Sequence, residues 1–155
     1  MQVSAPVSTV YETWRRLEDF PRFTANIESV QRLPDGRTDW VAHGPFGKRV
    51  HWQAMVTEDV PNTRLRWQSI GGDLSLRGLA EFIPAEGGSV VLTVLEYNPP
   101  LGILGKCASY LGDIEGRLES DLERLQRRIE DGAATHLPQG GAQETFLPAT
   151  APNTP

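Results

Sequence analysis

Cysteine is almost missing from this sequence: Cys107 is the only one in 155 residues. A lone thiol forms no internal disulfide and cannot by itself hold a structural zinc. It falls near an apolar helical stripe, where a small buried hydrophobe is its ordinary role. Positive charge is also short. Fifteen Lys and Arg against twenty Asp and Glu leave a formal net charge of −5, without the electrostatic footprint of a nucleic-acid binder. No apolar run approaches the roughly 18 residues that span a bilayer. Met1-Gln2-Val3-Ser4 carries no basic segment leading into an apolar one, so no secretory signal is visible. These absences predict a cytoplasmic protein with no nucleic-acid partner and no transmembrane segment.

What is present suits one domain with one core, given 39% hydrophobic residues. Composition shifts after Asp131. Gly132 to Pro155 is rich in Ala, Thr, Pro, Gly and Gln, with Phe146 and Leu147 as its adjacent large apolar pair. Such a stretch buries too little surface to offset chain entropy, which predicts a folded domain over 1–131 and a disordered tail over 132–155.

Within the folded part, a short strand at Gln2–Ala5 precedes a helix whose apolar face carries Val10, Trp14 and Leu17. Thr9-Val10-Tyr11-Glu12 has the form of a capping box, which places a helix start nearby. Leu17 to Phe23 reads as a one-turn helix capped by Asp19, with Pro21 in its first turn. From Ile27 the apolar period becomes two, with turn signals every ten to twelve residues, such as Leu33-Pro34-Asp35-Gly36 and Pro84-Ala85-Glu86-Gly87-Gly88. The intervals are too short for crossover helices, so six antiparallel strands are predicted near 27–33, 37–43, 48–59, 63–69, 74–83 and 89–97. Asn98-Pro99-Pro100 ends the sheet. A long helix over 101–130 follows, with Leu104, Ala108, Leu111, Ile114, Leu118, Leu122, Leu125 and Ile129 on one stripe. Asp113–Arg117 and Glu123–Arg127 are supporting i,i+4 pairs, and Gly132 lies just past the predicted end.

Strand phase separates a wet face from a buried one. Asp39, Arg49, Gln53, Arg64, Arg66, Gln68, Arg77 and Glu81 share the wet phase, along with His43 and His51. The opposite phase carries Trp40, Trp52 and Trp67 beside Ala42, Ala54, Ser69, Gly78 and Ala80, and continues to Phe82. Two readings of that face stand. Either small residues accommodate the indoles in a solid core, or large rings beside small neighbours leave an apolar cavity under the long helix. The last strand has no clear phase, since Val90, Leu92 and Val94 alternate with Val91, Leu95 and Tyr97, all apolar. Cover on both sides is expected there, by the first helix or by a second chain, and with Leu79 and Ile83 on the wet face this leaves a homodimer open.

Chemistry-bearing clusters are scarce. His43 and His51 flank one hairpin in the wet phase and read as a surface pair, and no metal site is predicted. Cys107 and the serines lack an adjacent base of the kind that activates a nucleophile. If a reaction is catalysed, Tyr97, Tyr110, Ser69 and Glu96, with Arg77, are the proton-moving candidates; no catalytic residue is assigned.

The local sequences Ala5-Pro6-Val7-Ser8-Thr9-Val10-Tyr11-Glu12-Thr13-Trp14, Glu18-Asp19-Phe20-Pro21-Arg22-Phe23, Trp52-Gln53-Ala54, Pro61-Asn62-Thr63-Arg64-Leu65-Arg66-Trp67 and Tyr97-Asn98-Pro99-Pro100 carry a family resemblance. Over residues 2–131 the chain resembles the polyketide cyclase/dehydrase group of the START-like (SRPBCC) superfamily, with the coenzyme Q-binding START-like branch as nearest neighbour. The resemblance implies an α+β helix-grip fold, a curved antiparallel sheet wrapped around a long C-terminal helix. It further implies a cavity between sheet and helix for a lipid, quinone or aromatic polyketide. The protein would act as carrier or chaperone, or alternatively as an aromatase/cyclase or dehydrase. No cofactor is implied. Residues expected to line the cavity are Trp40, Trp52, Trp67, Phe82, Tyr97, Leu104, Ala108 and Leu111. One departure is the brief segment before the first helix, which reflects either an upstream start codon or a shortened sheet edge.

Overall fold

The structure is a computed structural model that describes residues 1–44, 47–98 and 108–135, the last segment with side chains from 117 to 134. Among these, seven strands form one antiparallel sheet: β1 (Gln2–Val3), β2 (Ile27–Arg32), β3 (Thr38–His43), β4 (Arg49–Val60), β5 (Arg64–Gly72), β6 (Ser75–Ala85) and β7 (Gly88–Asn98). Their order is β1-β7-β6-β5-β4-β3-β2, so six strands are a plain meander and β1 closes the far edge beside β7. Helix α1 (Val7–Arg15) and a 3-10 helix (Leu17–Arg22) link β1 to β2, and α2 (Ala108–Thr135) follows the sheet. This is the helix-grip, START-like fold.

The two residues of β1 are enough to anchor the edge. Val3 is fully buried, and Met1 and Val91 exchange backbone hydrogen bonds of 2.9 and 2.8 Å. Ser89 Oγ donates to Ala5 O at 2.6 Å, satisfying a buried hydroxyl where the chain leaves the sheet.

Helix α1 begins at Val7, directly after Pro6, and not at the Thr9–Glu12 capping box. Pro6, with φ −56°, ends the extended segment, and its carbonyl accepts from Val10 N at 3.2 Å. Thr9 and Glu12 therefore lie inside the helix. Asp19 likewise sits in the first turn of the 3-10 helix, and Arg16 holds the position before it. The Asp19 carboxylate is bridged by Arg16 at 3.3 Å and Arg22 at 3.0 Å.

The last helix passes through Gly132 to Thr135, beyond the end expected at Glu130. An exposed glycine costs a helix only about 1 kcal/mol relative to alanine. Ala133 also packs with Ile129 against the core, so the next turn is held by burial. The beginning predicted over 101–107 and the tail over 136–155 lie outside the described residues.

The strand phases follow the sequence pattern, and β7 is resolved by its register. Ser89 and Val91 point inward and are buried, whereas Leu92 and Val94 point outward, 49% and 54% exposed. No described element covers that outer side. On the same face Arg64 bridges Glu58 and Glu81, and Arg66 bridges Glu58 at 2.7 Å. Exposed pairs of this kind contribute little individually. Register shifts in β4 near Gln53/Ala54 and Val56/Glu58 locally kink the strand, as β-bulges do.

Helix α1 is tied to the sheet by a polar contact at the edge of the core, with Tyr11 buried and Asp59 exposed. Tyr11 OH donates to Asp59 Oδ1, and Arg15 Nε donates to Asp59 Oδ2 at 2.9 Å. Burial, then the bond to Asp59, push the Tyr11 hydroxyl up to about 12. A folded-state value above the unfolded one near 10 means the contribution is complete below pH ~10 and lost as pH rises toward 12. We expect Tyr11→Phe to lower stability by about 1–2 kcal/mol at neutral pH. Urea midpoints measured from pH 9 to 12 should fall less steeply for the variant than for the wild type.

Candidate functional site: an aromatic cavity between sheet and helix

The inward face of the sheet and helix α2 do not meet everywhere. A cavity of about 240 Å³ lies between them, and all four tryptophans of the chain line it. Trp40 and Trp52 come from directly paired positions of β3 and β4, and their rings stack at 5.6 Å with 16° between planes. Trp67 comes from β5. Trp14 reaches the cavity from α1, held by the Tyr11–Asp59 anchor three residues earlier. Phe20 and Phe23 from the 3-10 segment complete the aromatic wall. Ring contacts run without a break from Trp67 to Trp14 (6.3 Å), Phe20 (6.0 Å), Trp40 (5.7 Å) and on to Trp52.

Trp67 fits because its cross-strand partner is Gly78. A Cβ at position 78 would stand 2.0 Å from Trp67 Cε2. The indole therefore lies flat over the β6 backbone. Opposite the rings, Leu118, Leu122 and Leu125 of α2, spaced four and three apart, form the aliphatic wall.

Most of the polar lining lies together, with Thr93 of β7 apart from it. Thr24, Asn26, Arg117 and Asp121 border the cavity as one group. Successive turns of α2 grip the segment that follows the 3-10 helix. Arg117 donates to Asn26 Oδ1 at 3.2 Å, Asp121 accepts from Ala25 N at 3.1 Å, and Arg124 Nε donates to Phe23 O at 2.9 Å. Asp121 also pairs with Arg124 and is buried. Removing it strands the backbone N–H of Ala25 and takes one partner from Arg124. Asp121→Ala should therefore lose about 2 kcal/mol and speed hydrogen exchange at Ala25, measured by deuterium uptake.

The indole N–H groups meet different fates. Trp40 Nε1 donates to Thr38 Oγ1 at 2.8 Å, and Thr38 Oγ1 donates to Ala54 O at 3.2 Å. Trp14 Nε1 and Trp52 Nε1 are buried without a hydrogen-bond partner, and among the described residues they are the only side-chain N or O atoms so placed. Each such orphan costs about 1–3 kcal/mol.

Of the residues singled out in the sequence, Trp40, Trp52 and Trp67 line the cavity together. Phe82 stands behind Trp14, 6.1 Å from it and 5.5 Å from Tyr11, in the packed core. Tyr97 is half-buried and paired with Leu76 on the neighbouring strand. Leu104 lies outside the described residues, as do the side chains of Ala108, Tyr110 and Leu111. Ser69 Oγ is engaged by Leu76 N at 2.9 Å. Arg77 and Glu96 face each other across strands on the outer face. His43 and His51 are exposed, with His43 Nε2 3.8 Å from Glu28. Among the described residues no cluster of three or more His, Cys, Asp or Glu could hold a metal ion, and no helix is long and apolar enough to cross a membrane. Sequence reasoning missed Trp14, Phe20 and Phe23 as wall residues. The only available signal was their place on the apolar face of the first helical segments.

Comparison with known proteins agrees with this architecture. The family model described as polyketide cyclase/dehydrase and lipid transport matches residues 3–123. A solved protein from Deinococcus radiodurans is 30% identical, with 85% of this chain and 94% of that one covered at a TM-score of 0.66. A START superfamily protein from Mycobacterium smegmatis shares the fold at 19% identity, covering 84% and 94% of the two chains with a TM-score of 0.66. The Zhui aromatase/cyclase of a Streptomyces species shares it at 15% identity, covering 84% and 90% with a TM-score of 0.67. With residues 3–123 of 155 matched, the chain belongs to the polyketide cyclase/dehydrase and lipid transport family.

Proposed function

We propose that the protein binds a hydrophobic small molecule between the sheet and α2, as a carrier or chaperone. The observation that carries this reading is the convergence of all four tryptophans on one cavity, opposite Leu118, Leu122 and Leu125 of α2. Rigid aromatic walls around a hollow, with few polar groups, are the usual character of a small-molecule site. The volume is below the roughly 300–1,000 Å³ of drug-sized sites, which favours a compact ring system over a long-chain lipid or a quinone carrying its full isoprenoid tail. Native mass spectrometry after gentle purification should show a bound apolar molecule in substoichiometric or full amount. Titration with tetralin should alter tryptophan emission, because no tryptophan lies elsewhere. Unchanged emission and a ligand-free mass would defeat the proposal.

A second reading is an aromatase/cyclase or dehydrase using the same cavity, favoured by the family description and the shared fold with the Zhui enzyme. The cavity would hold a reactive poly-carbonyl chain folded, and one or two groups would move protons. Incubation with a poly-β-ketone thioester surrogate should then change product regiochemistry, and Tyr97→Phe should reduce the change. An unaltered product profile removes this reading.

The outward apolar residues Ile83, Leu92 and Val94 support a homodimer through β6 and β7. Light scattering after size exclusion should give about 34 kDa, twice the chain mass of 17.1 kDa; a monomer mass would exclude it.

A further inference from the structure

A groove of about 1450 Å³ runs between the last turns of α2 and the stretch from Ser4 to Phe23, and Phe23 borders both it and the aromatic cavity. Five arginines line the groove, Arg16 and Arg22 from one wall and Arg124, Arg127 and Arg128 from α2. In a chain with fifteen Lys and Arg and a net charge of −5, a third of all basic residues meet here.

Ion pairing within the chain accounts for only some of them. Arg16 and Arg22 share a single carboxylate, Asp19, at 3.3 and 3.0 Å, and Arg124 is held by Asp121 and by Phe23 O. Arg127 and Arg128 are exposed and form no ion pair among the described residues. Glu123 stands four residues before Arg127, the spacing of a supporting helical pair, yet Arg127 lines the groove without pairing to it. Of the two carboxylates in the lining, Glu130 accepts from Ser4 N at 2.8 Å and from Gln126 at 3.2 Å, and Asp131 is exposed. The helix dipole does not explain the cluster, because its effect is confined to the last turn. Helix α2 runs to Thr135, about two turns beyond Arg128. Like charges at 124, 127 and 128, three and four residues apart, instead work against the helix.

We propose that this groove is a second binding site, separate from the aromatic cavity, for a soluble multiply charged phosphate such as a diphosphate or triphosphate ester. A guanidinium fork matches phosphate oxygens with paired hydrogen bonds. A single phosphate is small against a groove of this size with cations on both walls, whereas a phosphate chain spreads its charge along it. A flat layer of lipid headgroups meets the exposed Arg127 and Arg128 but does not enter between the walls. The proposal is independent of what the aromatic cavity holds.

Isothermal titration calorimetry of the full chain with inorganic triphosphate tests it. Triphosphate should bind at one site, at least about tenfold more tightly than orthophosphate. The double substitution Arg127→Gln/Arg128→Gln should weaken triphosphate at least about tenfold, and Arg16→Gln on the opposite wall at least about threefold. Arg64→Gln/Arg66→Gln removes the same charge from the outer face of the sheet, where exposed pairs contribute little to folding. That control should leave the affinity within about twofold, with circular dichroism confirming the fold of every variant. An equal loss in the control would reduce the effect to net charge and overturn the proposal. So would absent binding, no preference over orthophosphate, or a loss confined to the α2 variant, which places the anion on the open helix surface. Cosedimentation with vesicles of equal parts phosphatidylcholine and phosphatidylglycerol supplies the remaining arm. Vesicle binding that needs Arg127 and Arg128, without triphosphate binding in solution, would overturn the proposal in favour of a membrane surface.

Discussion

Replacing Gly78 with valine should remove about 3 kcal/mol of folding stability and abolish ligand binding. The expected loss lies at the upper end for overpacking because the added atoms meet a rigid ring and not the end of a flexible side chain. A Cβ at this position would fall 2.0 Å from Trp67 Cε2 and 2.1 Å from Cζ2, far inside van der Waals contact with the indole. Trp14 lies 6.3 Å from that ring and Gly78 is held opposite Trp67 by the β5–β6 ladder, which leaves the cavity as the ring's way out. Either the strands separate or Trp67 swings into the cavity and fills it. Urea unfolding reads the first outcome and dialysis the second. Pairing Gly78→Val with Trp67→Leu should recover part of the stability, since the clash is between the two positions. A loss below about 1 kcal/mol for Gly78→Val alone would mean that Trp67 does not lie over the β6 backbone.

The second large effect is expected at Leu122. It sits on α2 between Leu118 and Leu125 in the aliphatic wall, half-buried, with its side chain at the cavity. Leu122→Trp adds a bicyclic ring where the hollow is. Filling an apolar void gains contacts the leucine lacks, so stability should be unchanged or slightly raised. Binding of a ring ligand should fall at least about 100-fold, equivalent to roughly 2.7 kcal/mol. A melting temperature within a few degrees of wild type alongside lost binding separates occlusion of the site from unfolding. Retained affinity would place the ligand somewhere other than this cavity.

Much of this fold was legible because the signals are local. Alternation over Thr38 to Ala42 and over Val50 to Val56 reveals which side of each strand is buried, and turn residues mark where the chain reverses. The stripe running through Leu118, Leu122 and Leu125 identifies the helix face that meets the sheet. Trp40 and Trp52 could be assigned to one wall on phase alone, since strand pairing across a short hairpin allows few registers.

What was not legible depends on placements across long sequence separations. Nothing in periodicity says that Trp14 and Phe20 stand over the same hollow as Trp40, because the path of α1 across the sheet is set by tertiary contacts such as Tyr11 with Asp59, 48 residues apart. The grip of Arg117, Asp121 and Arg124 on Phe23 to Asn26 spans 91 to 101 residues in its two arginine contacts. The capping box marked the start of α1 only to within a turn, since the proline ahead of Val7 sets the first residue and leaves Thr9 and Glu12 inside the helix. At the other end, burial of Ile129 and packing of Ala133 carry α2 past a glycine that reads as a stop. On β7, alternating apolar residues concealed the phase. Only the register with β6, Phe82 opposite Val91 and Glu81 opposite Leu92, separates the inward set from the outward one.

The central claim is that the four tryptophans wall an apolar hollow and do not close a solid core. Xenon enters apolar cavities without needing a hydrogen bond, so crystals of the protein pressurised with xenon test the claim without knowledge of the ligand. The account predicts a xenon atom among Trp52, Trp67 and Leu122, absent in Leu122→Trp crystals. Pressurised crystals with no xenon in that space, and side chains meeting across it, would contradict it.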